Sequence, residues 1–362
     1  RRESTSIPQY HYCTGLYRPS SEKPVTQDSC VPMQDEVEGQ SQPDAGTVLY
    51  DLDLTNAHLH SLDEVSLPNT MRVLDATANR LKSIEAALLR LDGLTKLCLR
   101  QNLLTSAEEV EALASAPCLE ELDLRDNQFT QVPNFRGFFS LTNLDMSYNQ
   151  FVSLEALSSL PGPRLTHLYC AANKIASMEG IAHLESLRVL DLGSNRLRCI
   201  EGLEGMCLLD SLWLGRNRIT QINGLSSLSR LIRLSLQSNR LARISGLSGC
   251  TALEELYLSH NGLTTLEGLE GLANLRILDV ANNRLTSLAG LQGFPQLTDL
   301  WANDNQLASL DEAGAELEHV RDSLTCLYLG GNPCAKETQY RLRLEHTLPN
   351  LEQLDDSVLR GA

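Results

Sequence analysis

The chain has 362 residues, and 46 acids against 30 bases leave it with a formal net charge of −16. A surface of that sign repels nucleic-acid phosphates and anionic lipid, so no nucleic acid and no membrane is expected among its partners, and a basic protein face matches better. No stretch comes near the roughly 18 consecutive apolar residues of a membrane-spanning helix, and no secretory signal is visible, although a chain that opens on Arg1 leaves a missing leader open.

Residues 1–45 hold five prolines, Pro8, Pro19, Pro24, Pro32 and Pro43, among Ser, Gln and charged residues. No apolar period runs through them, so they are expected to form a disordered or partner-ordered tail. Tyr10, Tyr12 and Tyr17 are its one candidate docking patch. A solvated tail is the simpler reading of that composition.

From residue 46 one phrase takes over. Eleven residues with apolar side chains at positions 1, 4, 6 and 11 and Asn at position 9 recur from Leu49, Met71, Leu94, Leu119, Leu141, Leu165, Leu187, Leu209, Leu231, Leu253, Leu275, Leu297 and Leu324. This is the leucine-rich-repeat signature. Thirteen registered copies predict an α/β solenoid over residues 46–332, with a parallel sheet on its concave side and 3₁₀ or short helical turns on its convex side. The first copy has Ala57 where Asn belongs, as a terminal repeat would. The other copies place Asn79, Asn102, Asn127 and so on to Asn332 where the strand bends, and these side chains are expected to satisfy buried backbone groups rather than to do chemistry.

After each Asn the apolar residues fall three apart, as in Leu197, Ile200, Leu203 and Met206. That spacing fits 3₁₀ turns better than an α-helix. Gly202, Gly224, Gly246, Gly268 and Gly290 precede the third of these residues and ease a tight turn. Two intervals are longer. The one ending at Asn127 contains Ser106-Ala-Glu-Glu109, read as a capping box before a short helix. The one ending at Asn332 is helical in pattern from Leu310 to Val320. Beyond Pro333 a helix through Tyr340, Arg341 and Leu344, stopped before Pro349, predicts a cap over residues 333–362 that covers the last apolar face and strand edge.

Cys170, Cys250 and Cys334 occupy apolar repeat positions and no C-x-x-C occurs among the ten cysteines. Buried free thiols behave as small hydrophobes. The expected compartment is therefore reducing, cytoplasmic and/or nuclear.

Positions 3 and 5 of each phrase project from the strand onto the concave face. Position 5 carries Asp145, Tyr169, Asp191, Trp213, Tyr257, Asp279, Trp301 and Tyr328, including both tryptophans of the chain, and position 3 adds Glu121, Glu255 and Asp299. Tyr169, Trp213, Tyr257 and Trp301 lie on every second strand, about 9–10 Å apart at ~4.8 Å per strand. Rings interleaved with acids suit a protein interface that selects a basic partner. A solvated strand face is an equal reading for any single Asp, but not for the aromatic column. No enzyme activity, metal or cofactor is expected: the eight histidines have no metal-ligand spacing, and neither a phosphate loop nor a nucleophile elbow appears.

Several phrases together are more specific than the repeats. Ile200-Glu-Gly-Leu203 and Leu266-Glu-Gly-Leu269 are two of them, and the run Leu-Trp-Ala-Asn-Asp-Asn from Leu300 to Asn305 is a third. With the cap residues Leu327 to Pro333, Gln339 to Arg341, Leu348 to Leu351 and Leu354-Asp355, they resemble the family of the leucine-rich-repeat regulatory subunit 7 of protein phosphatase 1, over about residues 46–360. The resemblance implies a non-catalytic regulatory or scaffolding subunit, monomeric in itself. Its concave face would bind the catalytic subunit of the type-1 serine/threonine phosphatase, in one form with inhibitor-3. The contacts it implies fall on Asp145, Tyr169, Asp191, Trp213, Asp279, Asp299, Trp301 and Tyr328. Tyr169 and Trp213 stand where that family usually has Phe, Asp191 where it has Glu, and Leu342 where a second Arg is common. The alternative is a structural adaptor of a ciliary or cytoskeletal assembly that uses the same repeat face, with ciliary localisation.

Overall fold

The computed structural model describes residues 50–84 and 88–359. The tail read for residues 1–45 lies outside these. Val48–Ala362 form one compact unit.

Each eleven-residue phrase contributes a three-residue strand at its positions 3 to 5, from Asp51–Asp53 in the first to Cys326–Tyr328 in the last. Neighbouring strands pair parallel and in register, so Asp145 is opposite Tyr169 and Asp191 is opposite Trp213. The thirteen repeat strands join two from the cap in one 15-stranded sheet that follows chain order. Within each strand the middle residue points inward. Leu144, Leu168, Leu190 and Leu212 are fully buried there, and the residues at positions 1, 6 and 11 close over them in a continuous core. Leu52, Leu54 and Leu59 of the first repeat are only partly buried, since nothing among the described residues stacks on their outer side.

The asparagine ladder is as expected. Asn195 Nδ2 donates to the carbonyls of Cys170 (2.9 Å), Leu192 (3.1 Å) and Gly193 (3.1 Å), and its Oδ1 accepts from Ile175 N at 3.0 Å. One side chain thus serves three turns of two repeats. Its geometry depends on the residue before it, which the sequence did not flag. Position 8 is left-handed in every repeat: twelve non-glycine residues from Asn56 (φ 57) to Asp304 (φ 55), then Gly331. Their side chains range from Ala172 to Tyr148 and Arg216, so no residue type advertises the conformation.

The convex side is a chain of tight turns. Leu203 O accepts from Met206 N at 3.0 Å, and Met206 O accepts from Leu209 N at 3.0 Å. Continuous 3₁₀ helix appears only in places, such as Glu155–Ser159 and Leu291–Gly293. Gly268 has φ +97, and a Cβ there would lie 2.2 Å from Ile244 O, so no other residue fits.

The two long intervals form helices α1 (Ala107–Ala112) and α2 (Leu310–Leu317). The capping box read at Ser106 is only half formed. Ser106 Oγ accepts from Glu109 N at 3.2 Å, but the Glu109 carboxylate reaches back to Ile84 N at 2.7 Å and binds the preceding repeat instead of its own cap. A reciprocal box occurs at Ser61 and Glu64, in the first repeat.

Helix α3 (Tyr340–Thr347) and the strand Gln353–Leu354 follow the last repeat, and that strand pairs parallel with Cys326–Tyr328. Elsewhere a position-6 N–H bonds a carbonyl of the next repeat, as Ala302 N does with Tyr328 O at 2.8 Å. After the last repeat that carbonyl is missing. The Asp355 carboxylate replaces it, accepting from Leu329 N (2.8 Å), Gly330 N (2.7 Å) and the Tyr340 hydroxyl (3.0 Å).

Candidate protein-binding face

The alternation of each strand sets positions 3 and 5 on the side of the sheet away from the core. All nine residues singled out from the sequence lie there: Asp145, Tyr169, Asp191, Trp213, Tyr257, Asp279, Asp299, Trp301 and Tyr328. Their register makes the position-5 residues one column across the sheet.

The rings in this column do not keep the separation expected from strand spacing. Trp213 and Tyr257 stack with centroids 6.3 Å apart, and Tyr257 to Trp301 and Trp301 to Tyr328 are each 6.3 Å. The two residues between the first three rings, Ser235 and Asp279, are short, so the rings lean over them and meet. Ser235 is left 1% exposed and Asp279 7%. The result is a run of four rings in contact, stacked at Trp213–Tyr257, tilted at Tyr257–Trp301 and edge-on at Trp301–Tyr328, rather than four isolated anchors. Tyr169 stands apart and stacks on His167 of its own strand at 6.3 Å.

The acids are also less free than their column suggests. At each position-5 Asp the carboxylate accepts the N–H two residues on: Asp145 from Ser147 (2.8 Å), Asp191 from Gly193 (2.8 Å), Asp279 from Ala281 (3.1 Å). These bonds close the end of each strand, so the side chain helps to fold the repeat besides carrying a charge on its face. Burial costs that charge. Desolvation pushes the Asp123 carboxyl up to about 6, with the Asp145 charge beside it adding to the shift, and pushes Asp191 up to about 6 against the Gly193 N–H. Asp145 and Asp279 are raised by the same burial.

Two bases on this face went unread in the sequence. Lys96 pairs with Glu121 (2.9 Å) and Arg233 pairs with Glu255 (2.9 Å), each across adjacent strands. Glu255 also accepts from the Tyr257 hydroxyl at 3.0 Å. Both bases stand at position 3 opposite acids already read there, so extending that column from its acids to its bases finds both pairs. Asp299 accepts from the Thr298 hydroxyl at 2.6 Å and sits near Cys326, whose thiol burial pushes up to about 11.

Models of leucine-rich repeats match residues 185–227, 229–271 and 273–317 in paired copies, and residues 118–138 singly. A protein phosphatase 1 regulatory inhibitor subunit PPP1R7 homolog from Arabidopsis thaliana is 44% identical over 174 residues, 48% of this chain and 53% of that protein. The protein phosphatase 1 regulatory subunit SDS22 of Saccharomyces cerevisiae is 38% identical over 96 residues, 26% of this chain and 28% of that protein. The chain thus matches about half the length of one relative and about a quarter of the other. Among solved structures, an internalin from Listeria monocytogenes superposes with TM-score 0.70 at 23% identity, covering 79% of this chain and 81% of the internalin, which is likeness of fold alone. The chain is a leucine-rich-repeat solenoid, and its repeats are similar to those of protein phosphatase 1 regulatory subunits.

Proposed function

We propose that this face holds the catalytic subunit of a type-1 serine/threonine protein phosphatase, and that the chain is its non-catalytic regulatory subunit. One observation carries the reading: a chain 44% identical to a subunit of that name over 174 residues presents, on one sheet face, four aromatic rings in contact beside partly desolvated carboxylates. The rings bury area with little loss of side-chain entropy, as interface anchors do. The carboxylates sit in a low-dielectric setting where a Lys or Arg from the partner restores their charge. On this reading Trp213, Tyr257, Trp301 and Tyr328 anchor the partner, and Tyr169, Asp145, Asp191, Asp279 and Asp299 orient it. Inhibitor-3 belongs to the same proposal as a third component carried on the bound phosphatase.

The test is capture of partners by the full chain from native lysate, with the type-1 catalytic subunit quantified. Its recovery, and its loss with Trp213→Ala/Trp301→Ala, is the expected result. Cytoskeletal or ciliary proteins recovered without phosphatase would turn the assignment to a structural adaptor.

A further inference from the structure

The edge that follows each strand carries a second pattern, unrelated to the concave column. Position 10 of the phrase is Lys174, Arg196, Arg218 and Arg240 in four successive repeats. Arg198 and Arg216 add to the same edge at positions 12 and 8, and positions 7 to 12 of these four repeats contain no acid and no aromatic residue. In a chain of net charge −16 this is a local reversal of sign. No equivalent run exists in the repeats on either side, where position 10 is Gln128 and Gln150 before it and Gly262 after it.

The backbone under this ladder is fixed. Lys174 N, Arg196 N, Arg218 N and Arg240 N bond the position-11 carbonyls of the preceding repeats, Phe151, Ile175, Leu197 and Ile219, at 2.8–2.9 Å. Each base is thereby held one repeat from the next, and three intervals at ~4.8 Å span about 15 Å. The Arg196, Arg198, Arg218 and Arg240 side chains are exposed and form no ion pair among the described residues, while Lys174 Nζ donates only to the neutral Gln150 at 3.1 Å. Bases that served only to balance the fold's own acids would sit in such pairs, as Lys96 and Arg233 do on the other face.

We propose that this ridge is a docking site for an extended acidic segment of a partner protein. Alternate side chains of an extended chain lie about 6.6–6.8 Å apart on one side, so about five residues with two or three carboxylates cover the ladder. Guanidinium groups meet carboxylates in two-pronged hydrogen bonds, which favours Arg at three of the four rungs. A nucleic-acid strand fits less well, because binding of single strands draws on aromatic platforms that this edge lacks. The ridge leaves the concave face free, so the solenoid can hold two proteins at once. This inference stands apart from the phosphatase reading and does not depend on it.

Fluorescence anisotropy of a labelled alternating Asp-Glu peptide with the full chain tests it. Binding is expected at low salt and weakens as ionic strength rises from about 0.05 to about 0.3 M, as screening of exposed charges requires. Arg196→Gln/Arg218→Gln/Arg240→Gln is expected to weaken binding at least about tenfold, and Arg218→Gln alone about threefold, should the triple variant fold poorly. Trp213→Ala/Trp301→Ala leaves peptide binding unchanged. No peptide binding at low salt, unchanged binding by the folded arginine variants, or tighter binding of a single-stranded RNA of equal length would each overturn the proposal.

Discussion

One column of the sheet is built in two ways. From Asp123 to Asp191 position 5 is mostly acidic, and each carboxylate turns back onto its own repeat to accept a backbone N–H. From Trp213 to Tyr328 it is mostly aromatic, and the rings turn sideways onto one another across short neighbours. The two halves share a backbone register yet differ in where their side chains find partners. An acid there accepts a backbone N–H of its own repeat and so serves the fold. A ring there finds its neighbours among rings of other strands and stays half-buried. Removing a residue from the acidic half should therefore reduce stability, and removing one from the aromatic half should reduce binding.

The largest effect is expected from the aromatic half. Trp213→Ala and Trp301→Ala should each weaken partner binding by about 2 kcal/mol or more, as centrally placed interface anchors do. Both rings lie on the sheet surface outside the continuous core. Thermal unfolding should accordingly shift little. Titration calorimetry against the purified phosphatase catalytic subunit checks the first statement, and a melting curve the second. A loss of stability as large as the loss of affinity would merge the two halves into one structural feature.

The acidic half should respond in the opposite sense. Asp191→Ala removes the acceptor of Gly193 N and is expected to cost about 1–2 kcal/mol of stability. Asp191→Asn keeps an acceptor oxygen and removes the buried charge. The Asp191 carboxyl is raised from 3.8 to about 6 in the folded state, so its favourable contribution is complete below 3.8 and is lost as pH rises through 6. Asn escapes that loss. The variant should be more stable than the parent at pH 7 by about 1 kcal/mol, after discounting for solvent at the sheet surface, and equal to it near pH 4. Denaturant melts at the two pH values decide the matter.

The same shifts make a weaker prediction about binding. With Asp123 and Asp191 both near 6, a partner that presents bases must displace protons below that pH. Affinity should rise by about tenfold between pH 5 and pH 7, since one unit of linked shift corresponds to that factor. A flat profile would mean that the acids serve only the fold.

Much of this was legible in the sequence because a repeat displays its constraints many times. One Asn at position 9 says little, whereas Asn79 to Asn332 at near-constant spacing fixes the strands, their order and their inward face. The nine candidate residues followed from counting along that register. What stayed hidden depends on atoms rather than on register. The tilt of Trp213 over Ser235, the return of the Asp191 carboxylate to Gly193, and the reach of Glu109 to Ile84 are choices of rotamer. The Asp355 carboxylate takes the place of a missing strand only once, so no recurrence announces it.

The smallest expected effect concerns what the two halves share. Position 8 is left-handed whether the repeat carries an acid or a ring, and for a residue with a Cβ that conformation costs about 1–2 kcal/mol. The ladder can hold the strain because Asn at position 9 then turns inward to its four partners, so the strain is spread over the array, one residue per repeat. Ala172 has φ 54 and its N–H bonds Gly193 O at 2.8 Å, a geometry glycine adopts without loss of that bond. Ala172→Gly trades relief of the strain against the greater freedom of glycine in the unfolded chain, and should stabilise by about 0.5 kcal/mol. Ala171→Gly, one residue earlier and outside the left-handed region, carries only the entropic term and should destabilise by a similar amount. Opposite signs at adjacent alanines, read as midpoints in urea, would establish that the left-handed turn is a cost borne by the repeat; equal signs would mean that neighbouring repeats impose the conformation and the residue itself is indifferent.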